Sequence, residues 1–394
     1  MTMLISTSSC QCVYDMIEKL KITQIRNLYD IDLNLSSCNV FVGQNGSGKT
    51  SLLEAVFLLS RGKSFRHHEP KRLITHHQSS CTVWAKTTLG ELGIQKILDD
   101  KSFATSVMKR NGQNVYSQSV LSFALPTLLI DPSGMELLEE GSGGRRQLLD
   151  WLVFHVEHRF YGAWLSYQKV LKQRNALLKS SHVRQRPQEI TAWDYELSCH
   201  AQVLHECRQA VFENWRVYFK AMLGRLLPKY TDHINLSYQA GFDEKVGLFH
   251  TLGQRLESDI MLGYTRVGSH RADVLVNFYN DSDKKFKEQA VNVLSRGEKK
   301  LLITALKLSQ LQMICASGGM PVVLIDDVDA ELDEWAVDIL LDVVLSLPCQ
   351  SLMTSLQQKT AQQIQEKLAK SQPSPPLKMF HVEQGVVREA LPEI

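Results

Sequence analysis

The stretch GQNGSGKTS, residues 43–51, constrains this chain more than any other. Gly43 is followed by four residues and then by Gly48-Lys49-Thr50. NVFVG, residues 39–43, is the short apolar run of a buried strand, and SLLEAVFLL, residues 51–59, carries apolar residues at helical spacing with no breaker. Strand, glycine-rich loop and helix in that order form the setting of a phosphate-binding loop, which a chance glycine turn would not require. Small residues let the backbone wrap an anion closely. The N–H groups at the positive end of the following helix complete the cradle. The stretch therefore predicts an α/β fold with a nucleotide site. Gly43, Gln44, Asn45, Gly46, Ser47, Gly48, Lys49, Thr50 and Ser51 would surround the phosphates of ATP, with Lys49 on the β- and γ-phosphates and the Thr50 hydroxyl on Mg²⁺.

A second stretch supplies the acids that such a site needs. PVVLIDDVD, residues 321–329, is an apolar run ending in carboxylates, as a central parallel strand does where it meets a ligand. Asp326 is placed to hold Mg²⁺ and Asp327 to orient, or take a proton from, an attacking water. Asp327 and Asp329 also have the D-x-D spacing of a metal nuclease, but no accompanying glutamate motif lies upstream. His155 and His158 stand three apart without a third ligand in view, which suits packing better than metal binding.

Between these stretches the text changes character several times. Residues 1–15 are unpatterned and read as a flexible extension. IEKLKITQIRNLYDIDLNL alternates like a half-buried strand pair, and Asn111-Gly112 between alternating runs signals a hairpin. Residues 61–74 are basic and broken by Gly62 and Pro70, a surface segment. From Arg145 to about Leu226 the spacing is helical, interrupted near Pro187, and heptads are not sustained, so no long coiled coil is expected. Residues 229–290 read as strand text, and KMFHVEQGVV as a closing hairpin. These shifts divide the chain into an ATPase part at 16–144, an inserted helical domain at 145–260 and a second ATPase part at 261–394. The net charge of +2 over 394 residues means that any nucleic-acid surface must be local. No apolar run reaches the ~18 residues of a membrane span, no signal peptide opens the chain, and the eight scattered cysteines make no paired framework. A cytoplasmic protein without a membrane partner is expected.

LSRGE, residues 294–298, lies just before the acidic strand and opens an amphipathic helix. It resembles the signature loop of the ATP-binding-cassette ATPases. The chain as a whole, from Met16 on, resembles the RecF family of bacterial recombination-repair ATPases, related to the SMC heads. The likeness is carried by IRNL (25–28), FVGQNGSGKTSLLEAV, GKSFR (62–66), IDPSGMELLEEGSGGRRQLLDW, LKQRNALL, GSHRAD (268–273), LSRGEKKLL and LIDDVDAELD. It implies an ABC-type ATPase head with mixed β-sheets and an inserted helical domain. It also implies an ATP-dependent homodimer in which Ser295 and Gly297 of one copy grip the γ-phosphate held by the other, with Asp333 near the interface. The partners implied are DNA, double-stranded and at single-strand/double-strand junctions, and the recombination mediators RecR and RecO. Candidate phosphate contacts are Arg61, Lys63, Arg66, Lys71, Arg72, Lys169, Lys172 and Arg174. The chain departs from the wider ATPase pattern at four points. Pro132-Ser133 replaces a proline-acid pair, no lid glutamine is evident, Thr354-Ser355 stands at the switch-histidine position, and Asp327 replaces the commoner glutamate. Together these suggest slow turnover, a timer rather than a motor, and the resemblance implies a weak, DNA-stimulated ATPase.

Overall fold

The computed structural model describes residues 16–67, 69–99, 103–139, 141–279, 286–330, 332–370 and 375–390. The expected extension at 1–15 lies outside the described residues. By internal contacts the chain forms two units, Met1–Ser133 with Leu311–Ile394, and Gly134–Gln310. Residues 234–239 and 273–279 and the first part of the helix that LSRGE opens fall in the second unit.

In the first unit, alternating text folds as strands and the apolar runs as the centre. β1 (Ile17–Ile25), β2 (Leu28–Asn34), β4 (Ser80–Thr87), β5 (Gly90–Leu98), β6 (Ala104–Arg110) and β7 (Gln113–Val115) make an antiparallel sheet in the order β2-β1-β4-β5-β6-β7. Asn111 and Gly112 both take positive φ at the β6–β7 turn, as the two-residue hairpin requires. The second sheet holds β3 (Cys38–Val42), β8 (Thr127–Ile130), β12 (Val322–Ile325), β13 (Gln350–Ser355), β14 (Leu377–Glu383) and β15 (Val386–Ala390), ordered β15-β14-β3-β13-β12-β8. It is parallel except for the β14–β15 hairpin at its edge. Cys38–Val42, Thr127–Ile130, Val322–Ile325 and Gln350–Ser355 are buried at every position, as strands covered on both faces must be.

Helix α1 (Lys49–Arg61) lies in the core that these two sheets share. Leu52, Leu53, Val56, Leu58 and Leu59 are all buried there, with Ile22, Val83 and Ile94 from one sheet and Phe41, Leu324 and Leu352 from the other. The helix that follows the phosphate loop is thus apolar on all sides because it is packed on all sides. Helices α2 (Gln118–Ala124), α9 (Glu334–Ser346) and α10 (Gln358–Lys370) complete the unit.

The second unit is built on α4 (Ser142–Val156), α5 (His158–Leu178) and α6 (Pro187–Leu226), the last of 40 residues with Pro187 in its first turn, where a missing N–H costs nothing. A short α3 (Glu136–Glu139) precedes them. A small antiparallel sheet, β11-β10-β9, joins β9 (Ile234–Gln239), β10 (Asp273–Tyr279) and β11 (Phe286–Gln289). The strand reading of 229–290 needs one correction. Residues 248–262 form α7 (Leu248–Leu262), whose apolar spacing Leu248, Leu252, Leu256, Ile260 is helical although Gly253 interrupts it. The signature stretch opens α8 (Arg296–Ala316).

Arg174 also needs correction. It is wholly buried on α5, with its guanidinium donating to Asp194 (2.5 Å), Asp259 (2.9 Å) and Thr265 (2.7 Å). It holds α5, α6 and α7 together and is not available to a DNA phosphate. Burial, reinforced by the Asp259 charge, raises the pKa of Asp194 above the ordinary carboxylate value although Arg174 opposes it. Arg174→Met would leave two buried carboxylates without their cation, which costs about 3–5 kcal/mol. Urea denaturation is expected to show that loss, whereas Lys172→Ala, at an exposed position two residues away, should stay within about 0.5 kcal/mol of the parent.

Candidate nucleotide site

The phosphate loop is shaped by its glycines and supported from beneath by distant parts of the chain. Gly48 has φ 119°, a conformation that side chains rarely adopt, and it delivers the chain directly into α1. At Gly43 a Cβ would lie 2.2 Å from the carbonyl oxygen of Val382 on β14. The β14–β15 turn reaches the loop as well, Gly385 N–H donating to the Ser47 carbonyl at 2.7 Å. From the other side, the Asn27 amide donates to the carbonyls of Gly46 (3.2 Å) and Ser47 (3.1 Å) and accepts from the Ser51 hydroxyl (3.2 Å). Its neighbour Arg26 makes a bidentate pair, at 2.9 and 2.8 Å, with Glu54, which is fully buried on α1 and also accepts from Ser64. The IRNL stretch is therefore the brace of the loop. The Gly46 and Ser47 carbonyls of the loop are thereby held in hydrogen bonds, which favours presenting N–H groups to an anion.

Within the loop, the Lys49 ammonium donates to the Gly43 (2.8 Å) and Gln44 (3.2 Å) carbonyls. Thr50 meets the acidic strand directly, its hydroxyl donating to Asp326 Oδ1 at 3.0 Å. The same oxygen accepts from the Thr354 hydroxyl at 2.8 Å, and Thr354 Oγ1 in turn accepts the Asp327 N–H at 2.7 Å. Asp327 sits at φ 47°, so the chain turns sharply as β12 ends, and Thr354 fixes that turn. Thr354 therefore orders both acids. Ser355 donates to Asp329 (2.7 Å), as Thr360 does (3.1 Å), so Asp329 ties β13 and α10 to the acidic loop.

Charge at this place is out of balance. Burial, with the nearby negative charges of Asp327 and Asp131, raises the pKa of Asp326 despite the hydrogen bonds from Thr354 and Thr50. Asp327 Oδ1 and Ser47 Oγ are buried with no hydrogen-bond partner. These features fit a divalent cation and an oxygen-rich ligand. Thr50 Oγ1 and Asp326 Oδ1, 3.0 Å apart, are the oxygens that would hold Mg²⁺. Among the described residues no group of three His, Cys, Asp or Glu side chains is arranged to hold a metal ion. Mg²⁺ in phosphate sites commonly takes one or two protein ligands and completes its shell with phosphate and water.

The signature residues belong to the second unit. Ser295 and Glu298 form a reciprocal cap at the start of α8, Ser295 N–H donating to the Glu298 carboxylate (2.9 Å) and Glu298 N–H to the Ser295 hydroxyl (3.4 Å). Burial alone would raise the pKa of Glu298. The bonds from Ser295 and Tyr230, with the charge of Lys229, leave it below the ordinary value. Gly297 lies in the first turn, and a Cβ there would meet nothing within 4 Å, so one face of the helix start is open. Asp333 caps α9, accepting the Ala336 N–H at 2.8 Å.

Of the candidate phosphate contacts, Lys63, Arg66, Lys71, Arg72, Lys169 and Lys172 are exposed. Arg61 is half-buried, and burial lowers its pKa to about 10. His155 is buried against the rings of Trp151 and Phe154.

This loop, acidic strand and capped signature helix define a nucleotide-binding head, and the chain matches known proteins of that class. Residues 16–374 match the RecF/RecN/SMC N terminal domain family. The chain is 41% identical over 376 residues to the DNA replication and repair protein RecF of Acinetobacter baumannii strain SDF, covering 95% of this chain and 99% of that one. It is 36% identical to the protein of the same name from Cellvibrio japonicus, over 94% and 98% of the two chains. The chain belongs to the RecF family. Among solved structures, the recombination mediator protein RecF with ATP, of the RecFOR pathway, superposes with a TM-score of 0.77 at 24% identity, over 96% of this chain and 98% of that one. An Smc head domain from Pyrococcus furiosus gives 0.56 at 15% identity, over 95% and 96%. At these identities the likeness is one of fold, the ABC/SMC-type ATPase head. Among the described residues no helix is long and apolar enough to cross a membrane.

Proposed function

We propose that this protein is an ATP-dependent DNA-binding protein of recombinational repair and replication restart. The observation that carries the reading is the meeting of Thr50 and Asp326 at 3.0 Å, with Lys49 in the loop and Thr354 holding both acids. Lys49 would leave its carbonyl partners for the β- and γ-phosphates, Thr50 and Asp326 would hold Mg²⁺, and Asp327 would orient the attacking water. Mg²⁺, when bound, neutralises charge developing on the phosphate oxygens. Ser295 and Gly297 of a second copy would close the site, bringing the positive end of α8 to the γ-phosphate. ATP then favours the dimer, and slow hydrolysis releases it. The names of the relatives support a role in DNA replication and repair. The pathway of the solved relative supports partnership with the mediators RecR and RecO at duplex DNA beside single-strand gaps.

Fluorescence anisotropy on a gapped duplex tests the reading. ATP is expected to raise affinity about tenfold for the parent protein and not for Lys49→Arg, with affinity falling steeply as salt rises. DNA affinity indifferent to ATP would contradict it.

A further inference from the structure

The GSHRAD stretch, residues 268–273, is braced at almost every residue. Gly268 N–H donates to the Gly241 carbonyl at 2.9 Å, and a Cβ on Gly268 would lie 2.5 Å from the Tyr167 hydroxyl oxygen. The Ser269 carbonyl accepts from Arg208 (2.8 Å), whose guanidinium also makes a bidentate pair with Asp150 at 2.7 and 3.0 Å. His270 Nε2 must donate to the Thr265 carbonyl at 3.1 Å, so Nδ1 accepts from the Tyr167 hydroxyl at 2.7 Å and the ring is neutral. Burial pushes its pKa down to about 4, which keeps it so. The Ala272 carbonyl accepts from Arg146 (3.1 Å), and Asp273 makes a bidentate pair with Arg145 at 2.9 and 2.8 Å. The RR-x-x-LDW stretch, which supplies Arg145, Arg146 and Asp150, is thus the clamp for this loop.

Only Arg271 is left over. It is exposed at the end of the turn Ser269–Arg271, and among the described residues its guanidinium makes no hydrogen bond or ion pair. Arg146, half-buried beside it, donates to the Ala272 carbonyl and the Ser142 hydroxyl (3.3 Å), and among the described residues it makes no ion pair with a carboxylate. Asp150 and Asp273 are spent on Arg208 and Arg145. Four guanidiniums therefore face two carboxylates, and the uncompensated charge falls on Arg146 and Arg271. Burial lowers the pKa of Arg146; the charges of Arg208 and Arg271 add to this, and those of Asp150 and Asp273 oppose it. A fold that fixes a surface loop this firmly while leaving two adjacent cations unpaired is preorganised for an anion.

Resting on the DNA-binding reading above, we propose that Arg271, with Arg146 behind it, is a phosphate-binding position for the backbone of a nucleic acid. A planar guanidinium on a fixed loop suits a phosphodiester, and the contact would carry no sequence preference. It is a positioning contact.

The test uses the full-length protein, a fluorescein-labelled gapped duplex and a salt titration, with binding of a fluorescent ATP analogue measured alongside. Arg271→Gln is expected to keep the parent melting temperature and ATP-analogue affinity. It should weaken DNA binding several-fold and reduce the slope of log affinity against log salt by about one. Arg271→Lys should restore the slope. An Arg271→Gln protein with parental DNA affinity and slope overturns the proposal while leaving the DNA-binding reading intact. Loss of ATP-analogue affinity with DNA binding unchanged overturns it in favour of a nucleotide phosphate. A parent protein that binds no DNA overturns both.

Discussion

Asp327→Asn is expected to lower the rate of ATP hydrolysis by about 10²–10⁴-fold, the range for loss of a positioned general base, while changing nucleotide affinity little. Three features of Asp327 set this outcome. Its backbone takes φ 47°, which asparagine adopts readily, so the turn at the end of β12 survives the change. Its N–H still reaches the Thr354 hydroxyl, so Asp326 keeps its place. Its Oδ1 is buried without a partner, which is the condition of an acceptor awaiting a water. The substitution removes the negative charge and the basicity and little else. Phosphate release under single turnover, set beside equilibrium binding of a fluorescent ATP analogue, separates the two effects. Parental hydrolysis by Asp327→Asn would assign the water to another group. Thr354→Val should mimic the defect in part, because it releases both acids at once.

The second large effect concerns the signature helix. Ser295→Arg fills the start of α8 with a long side chain that sterically blocks the approach of a phosphate, sets a cation unfavourably at the positive end of the helix, and removes the hydroxyl that caps Glu298 N–H. Ser295 and Glu298 lie in the second unit and the phosphate loop in the first. The substitution should therefore leave the loop, its Asn27 brace and its affinity for ATP undisturbed, and abolish only what a second copy contributes.

The parts of this site that were legible in the sequence are those whose chemistry is local. Gly48-Lys49-Thr50 between an apolar strand and an apolar helix, and two acids at the end of an apolar run, declare themselves within ten residues. The parts that were not legible depend on strand register. Asn27, Gly46 and Gly385 come together because β2 leaves the β1 turn on one side of the loop and β14 runs beside β3 on the other. No short window of sequence holds that relation. Arg174 misled for the same reason. A basic residue on an amphipathic helix reads as surface until its partner Asp259, 85 positions away, is seen beside it. The GSHRAD and RR-x-x-LDW stretches were visible as motifs, but their joint role as clamp and clamped loop required the pairing of Arg145 with Asp273 across 128 positions. Helix α7 escaped because Gly253 weakens a periodic pattern that packing against α5 and α6 then enforces.

On the proposed function, a single copy holds half a site. Sedimentation velocity of the parent protein, Lys49→Arg and Ser295→Arg, each with and without ATP and Mg²⁺, tests it most directly. The account predicts a monomer that becomes a dimer with ATP for the parent alone, and a Ser295→Arg protein that binds ATP and stays monomeric. A Ser295→Arg protein that dimerises with ATP as the parent does, or a parent dimer indifferent to ATP, would contradict it.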